Sequence, residues 1–375
     1  MKRSYRILPV YTGDVSGVCS ALYELGGMVV IHDPSGCNST YNTHDEIRWY
    51  DQESLIFISG LKERDAILGN DEKFIEDILM AAKQLHPRFI TLVNSPIPYL
   101  NGTDFKGICR ILEKKLSLDC TYVKTNGMHD YTVGASRAME MVATQFVKKG
   151  ITREKTVNIL GMTPLDYTHA ESVSSLKKRI EAHGWHVQSC WLMDCSLEEI
   201  ATAGQASCNL VISSSGLQAA EVLWRSCGIP YVLGVPVGAC EDLVFEKMEQ
   251  AVHDHENQTM YKNLIQTNAK TAVIGEPVFA HSIAMDRFLT CRQPVQVICT
   301  TEKDHRACLK ETCIALDEET MEQALHYDTV IGDPMFQYIS KEHKKWVKVP
   351  HFALSGRLYL NDMINYWGKD GLKWD

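Results

Sequence analysis

Residues 28–32 read Met-Val-Val-Ile-His, a short run with three β-branched residues at its centre, entered from Gly26-Gly27 and left through Asp33-Pro34. A run of this length without polar alternation is what a parallel strand covered on both faces requires. Working outward, Phe89 to Val93 (FITLV) repeats the pattern, and Phe74 to Leu85 before it spaces its apolar residues as a helix does. Asp130 to Lys149 is a second long helical stretch, stopped at Gly150. The alternation then starts again. Thr156 to Leu160 (TVNIL) leads into Gly161, followed by a helix over 171–183, Gly184 and a strand from His186 to Cys190. Asn209 to Ile212 precedes Ser213-Ser214-Ser215-Gly216, and Pro230 to Leu233 follows. A third unit opens with Thr271 to Ile274 and Gly275-Glu276-Pro277, with later strands at Val295 to Thr300 and Thr329 to Ile331. Three β-α-β alternations predict an α/β chain of three Rossmann-like, doubly wound parallel-sheet domains. Their expected limits are 1–150, 151–270 and 271–375, the last closing on a C-terminal helix.

Composition narrows the function. The 375 residues are 45% hydrophobic, and 38 Lys plus Arg against 47 Asp plus Glu leave a formal charge of −9. That balance argues against nucleic acid and anionic membranes, both of which select a basic footprint. Met1 to Val10 holds a basic pair but no apolar stretch of signal-peptide length, and no run approaches the ~18 apolar residues of a membrane span. The expected location is cytoplasmic, with the 13 cysteines reduced rather than arranged as a disulfide framework. There is no CxxC pair, no Walker phosphate loop and no GxGxxG fingerprint after any strand, so neither ATP nor NAD is an expected ligand. Sheets of this kind bind at the carboxyl ends of their strands. The loops to watch are therefore 33–48, 94–104, 126–131, 162–167, 213–217 and 276–282.

Four segments, taken in order, resemble the nitrogenase component 1 superfamily. Ser16 to Cys37 (SGVCSALYELGGMVVIHDPSGC) has its helix, its strand and the His-x-x-x-Gly-Cys loop that carries a cluster ligand. Ser59 to Phe74 has an acidic residue before an apolar pair and Gly69-Asn70-Asp71. Asn94 to Asp104 (NSPIPYLNGTD) occupies the loop where the family usually has Cys-Pro, and Asn126 to Ala135 (NGMHDYTVGA) the Gly-rich loop entering the next helix. Residues 209–238 and 330–356 resemble the middle and third domains.

The resemblance implies an anaerobic, cytoplasmic oxidoreductase subunit. Its cofactor would be an iron–sulfur cluster of the [4Fe-4S] kind at a subunit interface, beside a further metallocofactor of unassigned type. Its partners would be an ATP-dependent reductase of the nitrogenase iron-protein type and a second component 1-type subunit, identical or homologous. Cys37 falls on a ligand position. Cys19 does not: counting back from the helix glycine, Gly17, puts the first family cysteine at Gly13, six residues earlier. Ser95 stands in the third cysteine's place, and Asp14 and Ser95 are candidates for ligation only through oxygen. Ser213 replaces the cysteine that holds the cofactor of true dinitrogenases, so nitrogen reduction is not expected.

In the family the stretch after Cys37 approaches the substrate cavity, and here it reads Tyr41-Asn-Thr-His44-Asp45-Glu46-Ile-Arg48. His44 and Asp45 are the candidate proton donor and its orienting partner, with Tyr41, Glu46 and Arg48 to hold a polar substrate. The same residues also read as a capped, solvated helix start. His129, beside Asp130 and Tyr131, is a further substrate-site candidate or an ordinary cap. Ser213 is an anion site at a helix N-terminus or simply a serine-rich turn. Cys37 and Cys19 are the candidate metal ligands; Cys190, Cys195, Cys208 and Cys227 read as packing. Two other classes fit the same residues: a metallocofactor assembly scaffold or carrier, and a non-catalytic small-molecule binding protein of periplasmic-binding-like fold.

Overall fold

The computed structural model describes residues 5–34, 46–340 and 345–368. The first sheet holds β1 (Met28–His32), β2 (Leu55–Ile58), β3 (Ile90–Asn94) and β4 (Cys120–Val123), in the order β2-β1-β3-β4. The second holds β5 (Thr156–Leu160), β6 (His186–Cys190), β7 (Cys208–Val211), β8 (Tyr231–Leu233) and β9 (Gln258–Thr259), in the order β6-β5-β7-β8-β9. The third holds β10 (Thr271–Gly275), β11 (Val295–Cys299), β12 (Cys313–Ile314), β13 (Thr329–Gly332) and β14 (Lys345–Lys348), in the order β12-β11-β10-β13-β14. Among the described residues every pairing between these strands is parallel. This is the α/β architecture expected, with β1, β3, β5 and β7 buried along their whole length.

Each order reverses once, between β1 and β3, β5 and β7, and β10 and β13. Those three switch points are where a doubly wound sheet leaves a crevice at its carboxyl edge.

The long helices keep close to their expected bounds, with ends set by local chemistry. The helix Tyr131–Phe146 starts at Asp130, whose side chain accepts from Thr132 N, and stops where Val147 turns extended. Among the described residues the chain does not close on a long C-terminal helix. After β14 come only the single turn Phe352–Ser355 and the 3-10 segment Gly356–Asp362, where Gly356 has φ +55°. Residues 6–8 are tied to the third domain: Glu318 accepts from the backbone N–H groups of Arg6, Ile7 and Leu8 at 2.8, 2.8 and 3.0 Å.

Two glycines set how tightly the first domain packs. The helix Asp14–Leu22 crosses helix 131–146 so closely that a Cβ on Gly17 would strike the Tyr131 carbonyl, and one on Gly134 the Asp14 carbonyl. Both obstacles are backbone and cannot rotate away. The crossing in turn fixes Tyr131, which is fully buried. Gly134→Ala should therefore lower stability despite its better helix propensity, by about 1–3 kcal/mol or more, as overpacking does. A denaturant midpoint unchanged from wild type would show that the helices do not meet this closely.

Candidate functional site

The switch points of the second and third sheets face each other. The loop after β5 carries Asp166 on the turn Pro164–Tyr167, and β7 leads into Ser213 and Ser214. From the other side, β10 leads into Glu276, the cap of helix Pro277–Cys291; β13 leads into Asp333, and β14 into His351. Asp166 Oδ1 accepts a hydrogen bond from the Tyr131 hydroxyl and lies 3.0 Å from His351 Nε2. One carboxylate oxygen thus joins residues from all three domains. Glu276 makes a second bridge, accepting from Ser214 N and from Phe279 N, each at 2.8 Å. Asp333 fixes the segment carrying the histidine by accepting from His351 N at 2.7 Å.

All of these groups are buried. Burial, and next the charge of Asp166, push the Glu276 carboxyl up to about 7 against the backbone donors that favour its anion. Burial pulls the His351 imidazole down, but the hydrogen bond and charge of Asp166 outweigh it and leave the ring more basic than usual. Asp333 is also raised by burial. Asp166 Oδ2 and His351 Nδ1 find no hydrogen-bond partner among the described residues. Unpaired polar atoms at this depth are uncommon. The void beside them, lined by Tyr11, Glu276, Asp333 and His351 among others, measures about 10 Å³, room for at most one water. Such a group can hold and pass a proton near neutrality; it has no room for a bulky cofactor.

Tyr11 borders this void and also a crevice of about 380 Å³ between the first and third domains, within the range of small-molecule sites. His129 lines the crevice, its Nδ1 2.9 Å from Glu302 Oε1. Asp130 lines it too, and its side chain caps helix 131–146 while also accepting from Glu302 N at 2.5 Å. The Tyr11 hydroxyl meets Thr300 Oγ1 at 2.7 Å. Ser213, by contrast, is a turn: its fully buried Oγ accepts from Ser215 N at 3.3 Å.

Arg48 requires a correction. Its five N–H donors are all taken: Nε by Glu46 Oε1 (2.7 Å), Nη1 by Glu24 Oε1 (2.8 Å) and Leu192 O (2.9 Å), Nη2 by Glu46 Oε2 and Ser20 O (both 2.9 Å). The guanidinium also lies over the Tyr23 ring at 4.5 Å. A saturated guanidinium cannot clamp a substrate carboxylate, and Glu46, buried against it, is equally committed. Together they anchor the first domain to Leu192 of the second, on the wall of a crevice of about 490 Å³ that also exposes Asp51, His169 and Asp194.

Cys37, Tyr41, His44 and Asp45 lie outside the described residues. Cys19 is fully buried in helix 14–22 within the apolar core, and burial, with the Glu46 charge adding, holds its thiol protonated. Ser95 is buried, and its Oγ has no partner among the described residues; Asp14 is occupied by Asn126 N and Gly127 N at 3.0 and 2.9 Å. Among the described residues no group of three His, Cys, Asp or Glu is arranged to hold a metal ion. They do not by themselves fit an iron–sulfur cluster. Nor, among those residues, is any helix long and apolar enough to cross a membrane.

Residues 16–354 match the profile of the family described as nitrogenase component 1 type oxidoreductase, and the chain belongs to that family. It is similar to the nitrogenase iron-molybdenum cofactor biosynthesis protein NifE of Clostridium pasteurianum, 24% identical over 208 residues, 54% of this chain and 45% of that protein. It is also similar to a subunit of the light-independent protochlorophyllide reductase of Leptolyngbya boryana, 25% identical over 218 residues, 54% of this chain and 42% of that one. These matches span less than half of either relative. The solved structure of nitrogenase Cp1 at pH 6.5 superposes with a TM-score of 0.64 at 14% identity, covering 93% of this chain and 87% of that one; it establishes the fold. Membership sets aside the periplasmic-binding-like alternative.

Asp166, Glu276 and His351 are the residues that sequence reasoning passed over. The loops of Asp166 and Glu276 were legible as strand-end loops and that of His351, after β14, was not; nothing in the order of residues puts the two carboxylates and the imidazole in one place.

Two outcomes are expected. Arg48→Ala strands Glu46 and Glu24 without their partner, and loss of one member of a buried pair costs about 3–5 kcal/mol. Arg48→Lys, lacking the planar fork, should recover little of it in chemical denaturation. If Arg48→Ala unfolds at the wild-type midpoint, the anchor is not structural. The second concerns pH. Because the folded Glu276 value lies above the ordinary 4.5, at about 7, the native state holds a proton that the unfolded chain has released between those values. The associated stability is complete below pH 4.5 and is lost as pH rises through 7. His351, also raised, works in the same direction. Glu276→Gln should flatten part of the decline in denaturation midpoint from pH 5 to 8, leaving the histidine's share; an unaltered profile would refute the assignment.

Proposed function

We propose that this chain is one subunit of a component 1-type reductase in a multi-component system. Low-potential electrons come from an ATP-dependent iron-protein-type reductase, and the product is made at the crevices between the domains of this chain. ATP coupling resides in that partner, in keeping with the missing phosphate loop. An iron–sulfur cluster would transfer electrons one at a time when bound, and Cys37 is the ligand offered here, completed by a second component 1-type chain. Cys19 is a packing residue in this reading.

The observation that carries the proposal is the buried Glu276–Asp166–His351 group at the junction of three domains. A reduction fed with electrons must take up protons, or charge accumulates in a low-dielectric site at steep cost. Glu276 holds its proton at its carboxyl near neutrality, and His351 holds one between Nε2 and Asp166 Oδ1. Tyr11, bordering both the junction and the 380 Å³ crevice, is the natural connection to a substrate beside His129. His44 is the proposed proton donor, with Asp45 as its orienting partner and Tyr41 as a substrate contact, as read from their order in the sequence. The assembly-scaffold or carrier reading would use the same crevices, and it predicts release of a bound cofactor without steady-state turnover.

Anaerobic co-purification with the partner subunit, followed by iron analysis, tests ligation. Cys37→Ser should lose most of the iron of the assembled complex while Cys208→Ser keeps it; equal iron in both would remove Cys37 from the ligand set. With reductase saturating, His44→Ala should lower turnover per cluster by roughly ten- to a thousandfold, the range for losing a general acid, with iron content unchanged. Full activity in both His44→Ala and Asp45→Asn would return these residues to a solvated helix start.

A further inference from the structure

Three contacts made by the crossover between β11 and β12 line the crevice of about 380 Å³ between the first and third domains. Thr300 Oγ1 lies 2.7 Å from the Tyr11 hydroxyl, and Glu302 N donates to Asp130 Oδ2 at 2.5 Å. The third contact is the Glu302 carboxylate, whose two oxygens lie 2.9 and 3.0 Å from a single nitrogen, His129 Nδ1. The first two already tie the domains together. An ion pair this open to water, with 32% of the histidine side chain and 23% of the glutamate exposed, adds little to that tie.

Its effect on the imidazole is specific. A carboxylate accepts and does not donate, so the neutral ring beside it carries its proton on Nδ1. A histidine free in water prefers the other tautomer, with the proton on Nε2. Here Nε2, which makes no hydrogen bond among the described residues, is left as a lone-pair acceptor on the wall of the crevice. Asp130 steadies the pair: its Oδ1 caps helix 131–146 by accepting from Thr132 N at 3.0 Å, while its Oδ2 holds the backbone of Glu302. The dyad thus hangs from a helix cap on one side and a strand end on the other, which is how a site keeps its geometry.

We propose that His129 is the acid–base group of this crevice and Glu302 its positioning residue, fixing the imidazole proton on Nδ1 so that Nε2 exchanges protons with the substrate. This rests on the reading of the crevice as the substrate site. Nε2 takes a proton from solvent, and the Glu302 carboxylate balances the charge of the imidazolium so formed. The ring passes that proton to the substrate as one electron arrives from the iron-protein-type reductase, and it returns to its neutral form with the proton on Nδ1. The substrate gains one electron and one proton; the reductase loses the electron and solvent the proton.

Nitrogen NMR of the full chain carrying ring-labelled histidine, at alkaline pH, reads the tautomer directly; the His129 signals are those missing from His129→Gln. Wild type should show Nδ1 protonated and Nε2 bare. Glu302→Ala should move the proton to Nε2, whereas Glu302→Gln, whose amide oxygen still accepts, should leave it on Nδ1. A wild-type ring protonated on Nε2, or an unchanged tautomer in Glu302→Ala, overturns the positioning role. These spectra need neither cluster nor reductase, so they decide that role even where the reductase reading fails. Turnover of the assembled complex with reductase saturating then tests the acid–base role. Glu302→Ala should lower kcat by roughly ten- to a hundredfold with KM within about twofold of wild type, and Glu302→Gln should recover part of the loss. Full kcat in a Glu302→Ala complex whose tautomer has switched overturns the acid–base role and leaves the reductase reading standing.

Discussion

A single buried carboxylate oxygen, Asp166 Oδ1, organises the centre of the molecule. It receives Tyr131 from the first domain and His351 from the third while belonging to the second. A buried charge is tolerated only when paired and hydrogen-bonded. The three sheets are therefore held to one arrangement in which tyrosine and histidine arrive together. Glu276 repeats the constraint across the second and third domains through Ser214 N. With Asp333 alongside, more acidic groups than bases are collected in a space that water scarcely enters, and the physical response is that protons stay on.

Two interdomain junctions are built from charged side chains, and they differ in saturation. At the first–second junction Arg48 spends every donor on Glu46, Glu24, Ser20 and Leu192. At the central junction an oxygen of Asp166 and a nitrogen of His351 have no described partner. A completed network stiffens; an incomplete one keeps capacity for a proton, a water or a ligand atom. That difference separates an anchor from a site, although both are buried and both are rich in ionisable groups. Tyr11 joins the incomplete network to a crevice large enough for a small molecule.

Within the nitrogenase component 1 type family, this chain keeps the frame and changes the fittings. On the resemblance read from the sequence, Gly13 and Ser95 stand where a cluster cysteine would fall and Ser213 where a cofactor cysteine would. The described residues bring no thiolate set for a cluster, and the central junction is filled by side chains. Chemistry that depends on a large cofactor lodged in that junction would require it to open; proton handling requires nothing more than what is there.

The parallel sheets were legible in the amino-acid order because a strand covered on both faces is a short run rich in apolar and β-branched residues, as at Met28–His32 and Thr156–Leu160. Three edge strands were not: none of β2, β12 and β14 is uniformly buried, and Lys345–Lys348 exposes both of its lysines. Among the described residues the short turns Phe352–Ser355 and Gly356–Asp362 stand where a C-terminal helix was expected, and each is too brief to show a helical period. For the site, sequence alone singled out strand-end loops, among them 126–131, from which His129 lines a crevice. It also presented Arg48 as a free cation, and only the fold showed it saturated, because donor occupancy depends on Glu24, Ser20 and Leu192 from distant segments. Asp166, Glu276 and His351 became one group only in three dimensions: proximity, and the proton affinity that proximity and burial create, are properties of tertiary structure that no local pattern encodes.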